Sequence, residues 1–149
     1  MPLLSSGVFL ELHVPHFQRA IDFYTLFGFK VVYADASFIT LQSGKSMLSF
    51  SGGSKRISQH SYFGGFPQSK RGYGVEIVVF VRNVTRLYKK VKGKVKIVAS
   101  LQLRPWKKKD FRVEDPFGFY LRFTEPDDWE NKQGRAQTKK VLQQLGLKG

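Results

Sequence analysis

The sequence predicts an α+β fold made of two tandem βαβββ modules. Three observations carry this. A period-two apolar stretch followed by an amphipathic helical stripe occurs twice. The two stripes superpose at one constant offset, Phe17 on Val84, Ala20 on Leu87, Ile21 on Tyr88 and Tyr24 on Val91. Each copy is then followed by three further strand-like stretches.

Residues 8–14 alternate, with Val8, Leu10, Leu12 and Val14 on one face and Phe9, Glu11 and His13 on the other, so they read as a strand. Pro15 closes it, because proline has no N–H for the ladder. Phe17, Ala20, Ile21 and Tyr24 then fall at i, i+3, i+4 and i+7, the apolar stripe of a helix that Gly28 ends. Strands follow at about residues 29–33, 37–41 and 46–51, parted by the turn residues Ala34-Asp35-Ala36 and Gln42-Ser43-Gly44. Residues 52–73 are rich in Gly, Ser and basic residues, with Tyr62, Phe63 and Phe66 among them, and read as a long linking loop.

The second copy opens with a strand at residues 75–81. Asn83 is a good N-cap for the helix carrying Val84, Leu87, Tyr88 and Val91, and Gly93 ends it. Strands are expected at about 96–100, 109–114 and 119–124. One domain over residues 1–125 is therefore expected, with module one at 8–51, the loop at 52–73 and module two at 74–125. Residues 126–149 read as a tail with a short helix over 137–145, its apolar positions being Val141, Leu142 and Leu145.

Composition bounds the function. The chain has 149 residues, 42% hydrophobic and 15% aromatic, enough for a real core. No apolar run reaches the roughly 18 residues that span a bilayer, and residues 1–6 lack the features of a signal peptide. With no cysteine, disulfide scaffolds, thiolate zinc sites and cysteine nucleophiles are excluded, which suits a cytoplasmic protein. No paired carboxylates and no Ser/His/Asp order are evident, and Gly52-Gly53-Ser54-Lys55 lacks the spacing of a phosphate loop, so no catalytic residue is assigned. The net charge of +14 attracts anions. Residues 77–109 hold eleven Lys or Arg and no Asp or Glu, and Lys89, Lys90, Lys92, Lys107, Lys108 and Lys109 beside Trp106 could track a phosphate backbone.

Particular residues carry a family resemblance. Ala20-Ile21-Asp22-Phe23-Tyr24 with Gly28-Phe29, then Trp106, then Phe111 to Gly118 with its Asp115-Pro116-Phe117-Gly118 turn, resemble the vicinal oxygen chelate superfamily in order and spacing over about residues 8–125. That superfamily includes glyoxalase I, extradiol dioxygenases, fosfomycin-resistance transferases and bleomycin-resistance proteins. The resemblance implies that each module curls its mixed sheet into half of a cup, with helices outside and a ligand inside. On alternation, Leu10, Leu12, Ile77, Val79, Leu121 and Phe123 then face the helices, and Phe9, Glu11, His13, Glu76, Val78, Phe80, Tyr120, Arg122 and Thr124 face the cup.

The resemblance also puts the family's metal-ligand positions on Phe9, Glu76 and Arg122. Only Glu76 could bind a metal, so neither metal nor other cofactor is expected, and Glu76 and Arg122 are expected to pair on the cup floor. A shifted site of His13 with Glu11 or Glu76 is the alternative. The implied function is a metal-independent small-molecule binder of the bleomycin-resistance kind, sequestering or sensing a neutral or anionic aromatic ligand, since a +14 chain should repel cationic bleomycin. Its expected contacts are Phe9, Glu11, His13, Glu76, Val78, Phe80, Trp106, Arg112, Tyr120 and Arg122, in a homodimer whose subunits complete the crevice. The other readings are a metal-dependent lyase, isomerase, dioxygenase or thiol transferase, and a basic nucleic-acid-binding variant.

Overall fold

The computed structural model describes residues 8–64, 72–127 and 131–148. The readings that fall on residues 1–6, on Phe66 and on Trp129 lie outside the described residues. Module one contains β1 (Glu11–Val14), α1 (Phe17–Thr25), β2 (Lys30–Ala34), β3 (Phe38–Ser43) and β4 (Ser46–Gly52). A short helix α2 (Ser54–Ser58) follows. Module two contains β5 (Glu76–Phe80), α3 (Val84–Val91), β6 (Lys96–Leu103), β7 (Lys109–Glu114) and β8 (Tyr120–Thr124), and α4 (Lys132–Gln144) comes last.

The mixed sheet is built as two four-stranded sheets with one topology, β1-β4-β3-β2 and β5-β8-β7-β6. In each, the first and last strands of the module run parallel and the other neighbours antiparallel. The alternation works as the residue types demand. Leu12 and Val14 on β1, and Ile77 and Val79 on β5, are buried under the helices. Of the stripe positions, Ala20 and Tyr24 of α1 and Val84 and Val91 of α3 are buried, and Phe23, which the stripe did not include, is buried beside them. Asn83 caps α3 by accepting the Arg86 N–H at 3.0 Å.

Three sequence expectations shift. The first strand begins at Glu11 and not at residue 8, because its ladder with β4 runs from Glu11↔Ser49 to Val14↔Gly52. Leu10 therefore stays 37% exposed and does not join the buried face. The linking segment is not loop throughout: α2 packs on β1 and β4, where Ile57 is buried. The final helix starts at Lys132, five residues before the expected 137, because the Asn131 side chain caps it on the Gly134 N–H at 2.8 Å.

One hydrophobic cluster joins the modules through the helix-facing sides of both sheets. Helix α1 supplies the bridge. Tyr24 packs on Phe50 of β4 with ring centroids 5.2 Å apart, and the adjoining Phe27 stacks on Phe123 of β8 at 4.4 Å. Tyr24 also donates its hydroxyl to Asp115, in the β7–β8 turn, at 2.8 Å.

Where β4 ends, Gly52 takes φ +153°, and a β-carbon there would strike the carbonyl oxygen of Val14 on the neighbouring strand. Backbone cannot swing aside as a side chain can. Gly52→Ala is expected to cost about 3 kcal/mol, read as a lowered urea midpoint. An unchanged midpoint would show that β1 can move away from β4 without loss.

Candidate functional site on the open face of the second sheet

The face of the second sheet turned away from the core carries polar and aromatic residues. Register places Val78 of β5 beside Arg122 of β8, and Arg122 beside Arg112 of β7. Glu76 pairs with Tyr120, and Tyr120 with Glu114, in the next row. Two arginines opposite each other repel, and Glu76 relieves this by standing between them.

Five charges alternate across this face. Arg104 donates from Nε to Asp110 Oδ1 at 2.7 Å, and the same oxygen lies 3.8 Å from Arg112 Nε. Arg112 Nε is 3.9 Å from Glu76 Oε1, and Arg122 Nε is 3.3 Å from that oxygen. Asp110 is fully buried, which two cations at its oxygen make tolerable. Arg112 Nη1 also donates to the Tyr120 hydroxyl at 3.2 Å. That bond, more than the carboxylates of Asp110 and Glu76, holds the Arg112 guanidinium above its ordinary range. The Nε atoms of Arg112 and Arg122 are buried without a hydrogen-bond partner among the described residues.

Beside this network is an open hollow of about 520 Å³. Val78, Phe80 and Trp106 form its apolar wall, and Arg122, Lys108, Thr124, Glu125 and Asp127 its polar lining. Arg122 lies over the Trp106 ring, 5.9 Å from its centroid. Trp106 reaches the hollow from the β6–β7 turn, where Lys107 at φ 63° and two 2.8 Å backbone bonds between Arg104 and residues 107–108 reverse the chain.

The structure therefore gathers seven of the ten sequence-predicted residues, Glu76, Val78, Phe80, Trp106, Arg112, Tyr120 and Arg122, on one sheet face and its adjoining turn. Phe9, Glu11 and His13 stand with the other sheet, which shares no ladder with this one among the described residues. Phe9 packs on Phe38 with centroids 6.0 Å apart, and Glu11 lies 3.8 Å from His13. His13 packs against Phe63 and His60 at 4.8 and 5.2 Å. A second hollow of about 490 Å³ opens beside them.

Sequence reasoning missed Arg104, Asp110 and Glu125, and it read Lys108 as a phosphate-backbone contact, not as part of the hollow. Asp110 could have been found, since it shares a period-two face with Arg112 and Glu114. Lys108 and Glu125 depend on turn geometry that periodicity does not describe. Of the basic residues, Lys89 and Lys90 are exposed on α3 and Lys92 just past its end, Lys107 and Lys109 are exposed on the hairpin, and Lys108 lines the hollow.

The residues do not suit the metal that the resemblance implies. Phe9 has no donor atom, and Arg122 presents a permanent positive charge to the one carboxylate present. Glu76 is already engaged by two guanidiniums. For the shifted alternative of His13 with Glu11 or Glu76, no group of three His, Cys, Asp or Glu gathers among the described residues. No described helix is long and apolar enough to cross a membrane.

The family model described as Glyoxalase/Bleomycin resistance protein/Dioxygenase superfamily matches residues 8–123. No curated protein matches the sequence. Among solved structures, TioX from Micromonospora sp. ML1 is similar at 22% identity and TM-score 0.61, covering 83% of this chain and 98% of its own. A bleomycin-binding protein, solved in complex with bleomycin, is similar at 21% identity and TM-score 0.57, covering 83% of this chain and 100% of its own. Lactoylglutathione lyase from Agrobacterium tumefaciens is similar at 15% identity and TM-score 0.61, covering 86% and 100%. At these identities the likeness shows the fold.

Proposed function

The chain belongs to the glyoxalase/bleomycin resistance protein/dioxygenase superfamily, and from that membership we propose that it is a metal-independent small-molecule-binding protein. It holds a neutral or anionic aromatic ligand against the open face of the second sheet, and so sequesters or senses it. The observation that carries this is the Arg122–Glu76 contact of 3.3 Å at a position where the family places metal ligands, beside a hollow walled by Trp106 and Phe80. A guanidinium there favours an anionic or polar group of a ligand and disfavours a cation.

Val78, Phe80 and Trp106 supply apolar surface, and Arg112, Tyr120 and Arg122 orient the polar end. Phe80 is 43% and Trp106 46% exposed, so the wall they make is open in the single chain. A homodimer accounts for this: Phe9, Glu11 and His13 on the first sheet of a second copy complete the crevice. A second reading, salt-sensitive and sequence-independent binding of nucleic acid, draws support from the exposed lysines of α3.

Native mass spectrometry of tag-free protein, purified without chelator and titrated with Zn, Mn, Fe(II) and Ni, tests the main reading. The expected result is the mass of two chains with no stoichiometric metal. Stoichiometric metal would overturn metal independence and return the enzymatic reading, and a monomer would remove Phe9, Glu11 and His13 from the site.

A further inference from the structure

We propose that the ligand of this site is a zwitterion, an aromatic body carrying both a carboxylate and an ammonium group, as an aromatic amino acid does. This deepens the small-molecule reading above and rests on it. The sequence of charges Arg104, Asp110, Arg112, Glu76, Arg122 begins and ends on a cation, so one positive charge is left over. Arg122 is the member of that sequence that lines the hollow; its Nε faces Glu76 at 3.3 Å, which leaves the outer end of the guanidinium for a ligand. A ligand carboxylate at Arg122 completes the alternation, and Lys108 on the same lining adds to its attraction.

The same hollow also carries the opposite sign. Glu125 and Asp127 line it, in a chain with only 11 acidic residues against 25 basic ones. The backbone N–H of Lys109 donates to Glu125 Oε2 at 2.8 Å, which orients that carboxylate at the end of β8. A ligand with a carboxylate alone meets repulsion from Glu125. A ligand with an ammonium alone meets it from Arg122 and Lys108. A dipolar ligand satisfies both ends, and its aromatic body covers Phe80 and Trp106. A hollow of about 520 Å³ accommodates a two-ring body.

Isothermal titration calorimetry of the full chain with four probes of one ring system separates the possibilities: L-tryptophan, indole-3-propionate, tryptamine and indole. L-Tryptophan should bind at least tenfold more tightly than each of the other three, and Glu125→Gln should bring it down to the affinity of indole-3-propionate. Gln keeps an oxygen for the Lys109 N–H, so the strand end should stay in place. If indole-3-propionate or indole binds as tightly as L-tryptophan, the zwitterion inference falls while the small-molecule reading stands. If tryptamine binds tightest, both the zwitterion and the neutral-or-anionic preference fall. If none of the four binds at millimolar concentration, the aromatic binding site itself is overturned.

Discussion

Asp115→Ala is expected to destabilise the protein by about 3–5 kcal/mol, measured by urea or guanidinium unfolding. The carboxylate is buried and accepts three bonds: from the Tyr24 hydroxyl at 2.8 Å, and from the Phe117 and Phe119 N–H groups at 2.9 and 2.8 Å. Alanine would leave all three donors buried and unpaired, each costing about 1–3 kcal/mol. The site also joins the modules, because Tyr24 belongs to α1 and Asp115 to the β7–β8 turn. A loss below about 1 kcal/mol would mean that water replaces the carboxylate and that the contact does not tie the halves together.

The same pair sets a pH dependence whose sign follows from burial. Burial pushes the Asp115 carboxyl up from its usual range, against the donors that pull it down. It pushes the Tyr24 hydroxyl well above its ordinary value of 10.0, and the charge and hydrogen bond of Asp115 push the same way. The unfolded tyrosine ionises from about pH 10 while the folded one stays protonated. The stability from Tyr24 is therefore fully present below that pH and is lost as pH rises beyond it. Tyr24→Phe should make the alkaline fall in stability shallower, and an unaltered fall would assign it to other groups.

The second large effect is on binding. Arg122→Gln is expected to weaken a carboxylated aromatic ligand roughly 10- to 100-fold, the worth of one charge-assisted hydrogen bond of about 1.5–3 kcal/mol. The substitution removes the cation proposed to meet the ligand and leaves Glu76 to repel it. Stability should change by less than about 1 kcal/mol, because Glu76 is partly exposed and keeps Arg112 at 3.9 Å. Arg122→Lys, which keeps the charge but not the planar fork, should recover part of the affinity. Titration calorimetry reads all three proteins. Equal affinity for Arg122→Gln and the native chain would move the site off this sheet face.

How much of this was legible differs residue by residue. The stripe from Phe17 to Tyr24 and its copy from Val84 to Val91 were readable because a helix sorts residues by local spacing alone. The facing of Glu76 and Arg122 was readable because alternation and the family resemblance together put both on one face. Leu10 was not: its carbonyl still accepts the Ser49 N–H at 3.3 Å, but its side chain borders the second hollow and stays out of the core. Ile57 was not, because a five-residue helix has too little periodicity to stand out and is held by the sheet beneath it.

The sequence by itself determined two βαβββ modules, the buried side of strands such as β1, β5 and β8, and a strongly basic chain. Tertiary structure alone decided that Phe9, Glu11 and His13 go with one sheet and the other seven candidate residues with the second sheet and its adjoining turn. It also brought Lys108 and Glu125 to the hollow. The reason is physical. Period-two and period-3.6 patterns report which side of an element leaves water, and neighbours along the chain set that. Which two apolar sides then meet depends on shape fit between residues far apart in the chain, here Phe27 on Phe123 and Tyr24 with Phe50 and Asp115, and no local pattern encodes it.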